Sequence, residues 1–210
     1  STMQNKASLP VIKRLPKYYR YLSNLQADGR DKISSSELAR MMGTTASQVR
    51  QDFNCFGGFG QQGYGYNVSN LTGEIKRIMG IDRKHTIIIV GAGNIGHALT
   101  NFPGFAETGF EVKALFDVNE DLIGTEIKGH PVLDVKDMDE YIRENQIDIG
   151  VIAARRSAAQ EIADRMCAAG IRGIWNFVPL DITTSVPIEN VHLSESLSTL
   201  SYKIEHGLLD

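Results

Sequence analysis

Two hydrophobic periods divide the chain. Up to about residue 80 the apolar positions recur at helical steps, predicting helices over residues 9–26, 36–42, 46–56 and 70–79. Beyond it, short β-branched runs alternate with helical ones. His85–Val90 reads as a strand buried on both faces, followed by strands over 110–116, 147–154 and 173–177 and helices over 135–145 and 158–169. Helical repeats followed by alternating β and α units predict an α/β chain, in which an N-terminal helical domain precedes a doubly wound parallel sheet. The boundary belongs near Asp82, which sets domains of 1–82 and 83–192. Residues 193–210 form a third segment, in which leucine or isoleucine at 193, 197, 200, 204 and 208 makes a helical stripe that must bury against something. An intersubunit contact or an exchanged helix fits better than packing on its own domain.

The punctuation of the first third is specific. Asp28-Gly29 closes the first helix, Ser34-Ser35-Ser36-Glu37 offers a capping box, Gly43 ends the second helix and Thr44-Thr45 caps the third. Ala39, Gly43 and Val49 stand where a helix-turn-helix needs a small contact residue, a turn glycine and an aliphatic anchor. The outward residues of the second helix of that pair, Ser47, Gln48, Arg50, Gln51 and Asn54, suit base edges and phosphates. The glycine- and aromatic-rich run 56–66, which includes Gln61 and Gln62, reads as a β-hairpin wing, with a flexible loop as its alternative. A winged helix serving only protein contacts remains the competing view of this domain.

After the strand at His85–Val90 comes Gly91-Ala92-Gly93-Asn94-Ile95-Gly96, then a helical run. A G-x-G-x-x-G motif between strand and helix is a dinucleotide fingerprint: one glycine for the turn, one for approach of the pyrophosphate and one for helix–strand packing. Asp117 ends the next strand, where a carboxylate accepts hydrogen bonds from the adenosine 2′-hydroxyl and repels a 2′-phosphate, favouring NAD(H) over NADP(H). Ala153 and Ala154 fall at the strand edge where nicotinamide lies. Arg155 and Arg156 follow there, facing either the nucleotide or another domain or chain. None of His85, His97 or His130, the last in a Gly-His-Pro turn, is obviously paired with a carboxylate. With no separate substrate domain, this speaks against a small NAD-dependent oxidoreductase. A CoA-binding Rossmann module is the other alternative.

Charge sharpens the division. Residues 1–83 hold 12 Lys and Arg against 6 Asp and Glu, and the remainder holds 10 against 19, so a basic part precedes an acidic one. Cys55 and Cys167 form no metal-binding or disulfide pattern and read as buried, reduced thiols. No apolar run approaches a membrane span and no signal-peptide pattern opens the chain, so a cytoplasmic protein without membrane or metal is expected. Ser1-Thr2 ahead of Met3 reads as a cloning remnant.

On these residues the chain resembles the Rex family of redox-sensing repressors. The matching segments are Arg14-Leu15-Pro16-Lys17-Tyr18-Tyr19-Arg20-Tyr21, Gln48-Val49-Arg50-Gln51-Asp52, the wing 56–66, Gly91 to Gly96 and Gly173-Ile174-Trp175-Asn176-Phe177-Val178-Pro179. The resemblance implies a homodimer with exchanged C-terminal helices, bound to palindromic double-stranded operator DNA and released by NADH, whereas NAD+ permits binding. Gln51 stands where a lysine is common, and Gln61-Gln62 where the wing is usually basic, which implies a flatter salt dependence. His192 replaces an aspartate and Phe102 a tyrosine of the family's interdomain polar network, to which the arginine matched by Arg14 also belongs.

Overall fold

The structure, a computed structural model, describes residues 7–59 and 65–210. The chain divides into two compact units, Ser1–Arg83 and Lys84–Asp210. In the first, α1 (Leu9–Ala27), β1 (Lys32–Ile33), α2 (Ser35–Met42), α3 (Ala46–Asn54), β2 (Tyr66–Asn67) and α4 (Val68–Met79) follow in order. Their apolar stripes meet in one core built on Tyr18, Leu22, Leu38, Val49, Phe53, Leu71 and Ile75. Phe53 sits at its centre, with its ring 4.9 Å from that of Tyr18, 5.7 Å from Phe59 and 5.1 Å from Tyr66. Burying a ring of that size contributes about 1.5–3 kcal/mol before its edge contacts are counted.

The caps set the helix ends. Ser34 Oγ accepts from Glu37 N at 3.0 Å while Glu37 Oε2 accepts from Ser34 N, completing the expected box. Gly43 turns left-handed after α2, and Thr45 Oγ1 accepts from Gln48 N at 3.2 Å to start α3. Residues 60–64 of the expected hairpin wing over 56–66 lie outside the described residues. Among the described residues Cys55–Gly57 is a turn, and Tyr66–Asn67 pairs antiparallel with Lys32–Ile33, a two-residue strand too short to announce itself by alternation. Gln61 and Gln62 lie outside the described residues.

The second unit contains β3 (His85–Val90), α5 (Asn94–Leu99), β4 (Phe110–Asp117), β5 (Glu126–Ile127), β6 (His130–Asp134), α6 (Met138–Asn145), β7 (Ile149–Ile152), α7 (Arg156–Ala169), β8 (Gly173–Asn176), β9 (Ile188–Asn190) and α8 (Leu193–His206). The sheet order is β5-β6-β4-β3-β7-β8-β9, parallel except at β5. Without that edge strand this is the Rossmann order, and it reverses between β3 and β7. Side chains of β3 alternate: Ile88 and Val90 enter a core with α6 and α7, whereas Ile87 and Ile89 enter one with Leu99 of α5. A register shift between Ile87 and Ile88 lets β4 send Val112 and Leu115 to one face and Ala114 and Phe116 to the other.

Several expectations shift. His130 begins β6 and does not lie in a turn: it pairs with Ile127 across the two-residue turn Lys128-Gly129, both with positive φ, which hides a hairpin in a polar stretch. The helix expected over 135–145 starts as a 3-10 turn, Val135–Asp137, before α6. Cys55 and Cys167 are half-buried, not buried, and Cys167 Sγ lies 3.2 Å from Thr184 Oγ1. Helix α8 buries none of its residues: Leu197 is 68% and Ile204 69% exposed.

Candidate DNA-reading and nucleotide-binding sites

Helix α3 exposes Ser47, Arg50, Gln51 and Asn54, positions that share one helical face, while Val49 and Phe53 point into the core. Arg50 Nη1 donates to Ser35 Oγ at 3.2 Å, which ties the base of this face to α2. Gln48, expected to face outward with them, is half-buried at the margin, and its amide Nε2 donates to Asp52 Oδ1 at 2.9 Å.

Asp52 is the residue that sequence reasoning missed. Its side chain is 1% exposed and accepts four hydrogen bonds: Arg14 Nε and Nη2, each at 2.8 Å, Tyr18 Oη at 2.6 Å and Gln48 Nε2. Burial by itself would raise its pKa, but the bonds from Arg14, Tyr18 and Gln48 outweigh this and hold the carboxyl below its usual range. Burial first, and the bond to Asp52 second, push the Tyr18 hydroxyl above its ordinary value. A polar residue on a helix spaced i+4 from Gln48 looks solvent-facing until α1 is packed against it; only the apolar Val49 and Phe53 on either side hint that position 52 turns inward.

In the second unit the site is made by backbone. Gly91 has φ +109°, and a Cβ there would collide with the carbonyl of Ala153; a Cβ on Gly96 would collide with the carbonyl of Gly91. Gly93 differs: nothing lies within 4 Å of where its Cβ would stand. Two glycines are therefore demanded by the protein itself, and the third leaves open space over the loop. Helix α5 begins at Asn94 without a side-chain cap, so the amides of its first turn, Asn94, Ile95 and Gly96, have no partner within the helix. Asp117 stands beside this space at the end of β4. Its Oδ2 accepts from Ala92 N at 2.7 Å and its Oδ1 from Asn119 N at 2.8 Å.

Ala153 and Ala154 lie across the reversal point, and Ala153 N donates to Val90 O at 2.8 Å. The structure thus brings Gly91, Ala92, Gly93, Asn94, Ile95, Gly96, Asp117, Ala153 and Ala154 to one edge of the sheet. Arg155 and Arg156 open α7 there, both exposed, and neither makes an ion pair among the described residues.

Together these features define a winged helix-turn-helix protein that carries a Rossmann nucleotide-binding domain. The comparisons agree for each part. Residues 6–54 match the family described as "Putative DNA-binding protein N-terminus", and residues 82–180 the family described as "CoA binding domain". The redox-sensing transcriptional repressor Rex of Clostridioides difficile (strain 630) is 52% identical over 202 residues, covering 95% of this chain and 96% of its own. That of Thermoanaerobacter pseudethanolicus is 48% identical over 203 residues, covering 96% and 91%. A solved structure of RSP with β-NAD+ and operator DNA superposes with a TM-score of 0.93 at 47% identity, covering 99% of this chain and 95% of that one. RSP with β-NADH gives 0.88 at 44%, covering 99% and 97%. The chain belongs to the Rex family of redox-sensing transcriptional repressors.

Proposed function

We propose that this chain is a redox-sensing transcriptional repressor: a homodimer that binds a palindromic operator in double-stranded DNA and is released when NADH occupies the Rossmann domain, NAD+ permitting binding. The observation that carries this is the near full-length likeness, at a TM-score of 0.93, to RSP held with both β-NAD+ and operator DNA. The exposed face of α3 supports the DNA half. Ser47, Arg50, Gln51 and Asn54, with Gln48 at their margin and Gln61 and Gln62 from the wing, contact bases and phosphates in the major groove and beside it. Arg50 carries the positive charge of that face.

The open space over Gly93, flanked by the first-turn amides of α5, receives the pyrophosphate, and Asp117 receives the adenosine ribose. Ala153 and Ala154 lie against the nicotinamide half. The match to a CoA-binding family concerns the same fold, and Asp117 separates the ligands: its carboxylate accepts from a free ribose diol and repels the 3′-phosphate that CoA carries there. NADH and NAD+ alter the DNA equilibrium only through a difference in affinity between two arrangements of the protein. The chain acts as a switch, not as a catalyst. Its domains are 1–82 and 83–192, and residues 193–210 form a helix exchanged in the dimer, which covers the leucine stripe that α8 leaves bare. No helix among the described residues is long and apolar enough to cross a membrane, and its place of work is the cytoplasm.

Calorimetry with NADH and CoA side by side, joined to operator binding with NADH, with NAD+ and without cofactor, tests this reading. NADH is expected to bind more tightly than CoA and to lower operator affinity. Preference for CoA, or one DNA affinity under all three conditions, overturns it.

A further inference from the structure

Helix α3 contains a polar side chain whose orientation is decided inside the protein before any ligand arrives. Both oxygens of Asp52 are saturated by donors, two from the Arg14 guanidinium, one from Tyr18 and one from Gln48. An ionised carboxylate only accepts, so the end of the Gln48 amide that meets it must be the NH2 group. The amide carbonyl Oε1 is thereby turned away from Asp52. Gln48 stands at the margin of the face that exposes Ser47, Arg50, Gln51 and Asn54, so that oxygen is offered toward whatever this face meets.

An unanchored glutamine can turn either end of its amide outward and discriminates poorly between a donor and an acceptor. This one cannot, because reversing it would set a carbonyl against a buried carboxylate. Resting on the repressor reading above, we infer that Asp52 is a positioning residue for base recognition: it presents Gln48 as a pre-oriented hydrogen-bond acceptor that reads an exocyclic amine in the major groove. The two groups of that kind are N6 of adenine and N4 of cytosine. Arg14 and Tyr18, reaching Asp52 from α1, hold the carboxylate in place.

The inference is tested by deleting single amines from the operator, with purine replacing adenine and 2-pyrimidinone replacing cytosine at each position of a half-site. The full-length protein without NADH is used, with a scrambled duplex as the reference for specificity. One deletion should cost the unsubstituted protein about 3- to 10-fold in affinity, the scale of one neutral hydrogen bond. Gln48→Ala should lose a similar factor on the natural operator and become indifferent to that deletion. Asp52→Asn offers Gln48 a donor in place of an acceptor, so the amide reverses; sensitivity to the missing amine should vanish, and Gln48→Glu added to it should restore it. A structural role alone would lower affinity for every sequence alike. Should Asp52→Asn fail to fold, the Gln48 side-chain amide in the NMR spectrum of the unsubstituted protein decides: hydrogen-bonded and slowly exchanging supports the inference, and freely averaging overturns it. Operator binding that tolerates every amine deletion overturns this assignment and leaves the repressor reading standing. Absence of operator binding by the unsubstituted protein overturns both.

Discussion

The two units build their sites by opposite means. In the N-terminal unit the candidate site lies in side chains, and a buried carboxylate holds them: Asp52 accepts from Arg14, Tyr18 and Gln48, and the polar face of α3 is fastened to α1 through it. In the C-terminal unit the chemistry lies in the main chain, where Gly91 and Gly96 are the residues whose lack of a Cβ lets β3, α5 and the end of β7 close up. A site made of backbone is local and tolerates almost no substitution at its tight points. A site made of anchored side chains depends on partners far away in sequence, and its parts fail by degrees.

The largest expected effects break the backbone site. Gly96→Ala drives a methyl group into the Gly91 carbonyl and should destabilise the second unit by about 3 kcal/mol or more, lowering its melting temperature by roughly 6–12 °C. Gly93→Ala has open space and an ordinary φ of −77°, so it should leave the melting temperature within about 2 °C while obstructing the pyrophosphate. Calorimetric unfolding with and without NADH checks both, and equal melting temperatures for the two variants would erase the distinction between structural and ligand-facing glycines.

Next comes Asp52→Ala, which strands the Arg14 guanidinium. Because Arg14 is 34% exposed, the cost should fall near or below the lower end of the range for broken buried pairs, about 2–3 kcal/mol, and appear in the unfolding of the first unit. The same network sets a pH window. The Asp52 pKa is depressed in the fold, so its contribution is present above the unfolded carboxyl value of about 3.9 and is lost as pH falls below it. The Tyr18 pKa is raised, so its contribution is present below about pH 10 and fades above. Denaturant titrations at pH 3, 7 and 11 should give the greatest stability at 7, and Asp52→Asn should flatten the acid limb.

Asp117→Ala should weaken NADH binding by roughly 10- to 100-fold through loss of charged hydrogen bonds, while cofactor-free operator binding persists. Loss of both together would make Asp117 a strap for the glycine loop through Ala92 and nothing more. The smallest effect is that of Ser34→Ala, which removes half of a capping box and should cost about 1 kcal/mol in the first unit, read from its denaturation midpoint.

How legible each site was in the sequence follows from the same contrast. Glycine spacing after an apolar strand, and an aspartate at the next strand end, are local signals, so the loop and Asp117 could be placed without coordinates. The caps at Ser34, Gly43 and Thr45 were local too. The anchoring of Gln48 was not: Arg14 and Asp52 lie 38 residues apart, and nothing in their neighbourhoods announces the pair. Short strands escaped for a related reason. Lys32–Ile33, Glu126–Ile127 and Ile188–Asn190 are two or three residues long and owe their conformation to the strand beside them. The turn at Lys128 takes positive φ with a residue other than glycine, asparagine or aspartate, which removes the usual hairpin cue.

The coupling of the two sites is the claim on which the functional reading stands. It is met most directly by titrating a preformed operator complex with mixtures of NADH and NAD+ at constant total nucleotide and constant salt, following release by fluorescence anisotropy. Release should rise with the NADH fraction and reverse when NAD+ is restored; a complex that persists at saturating NADH would contradict it.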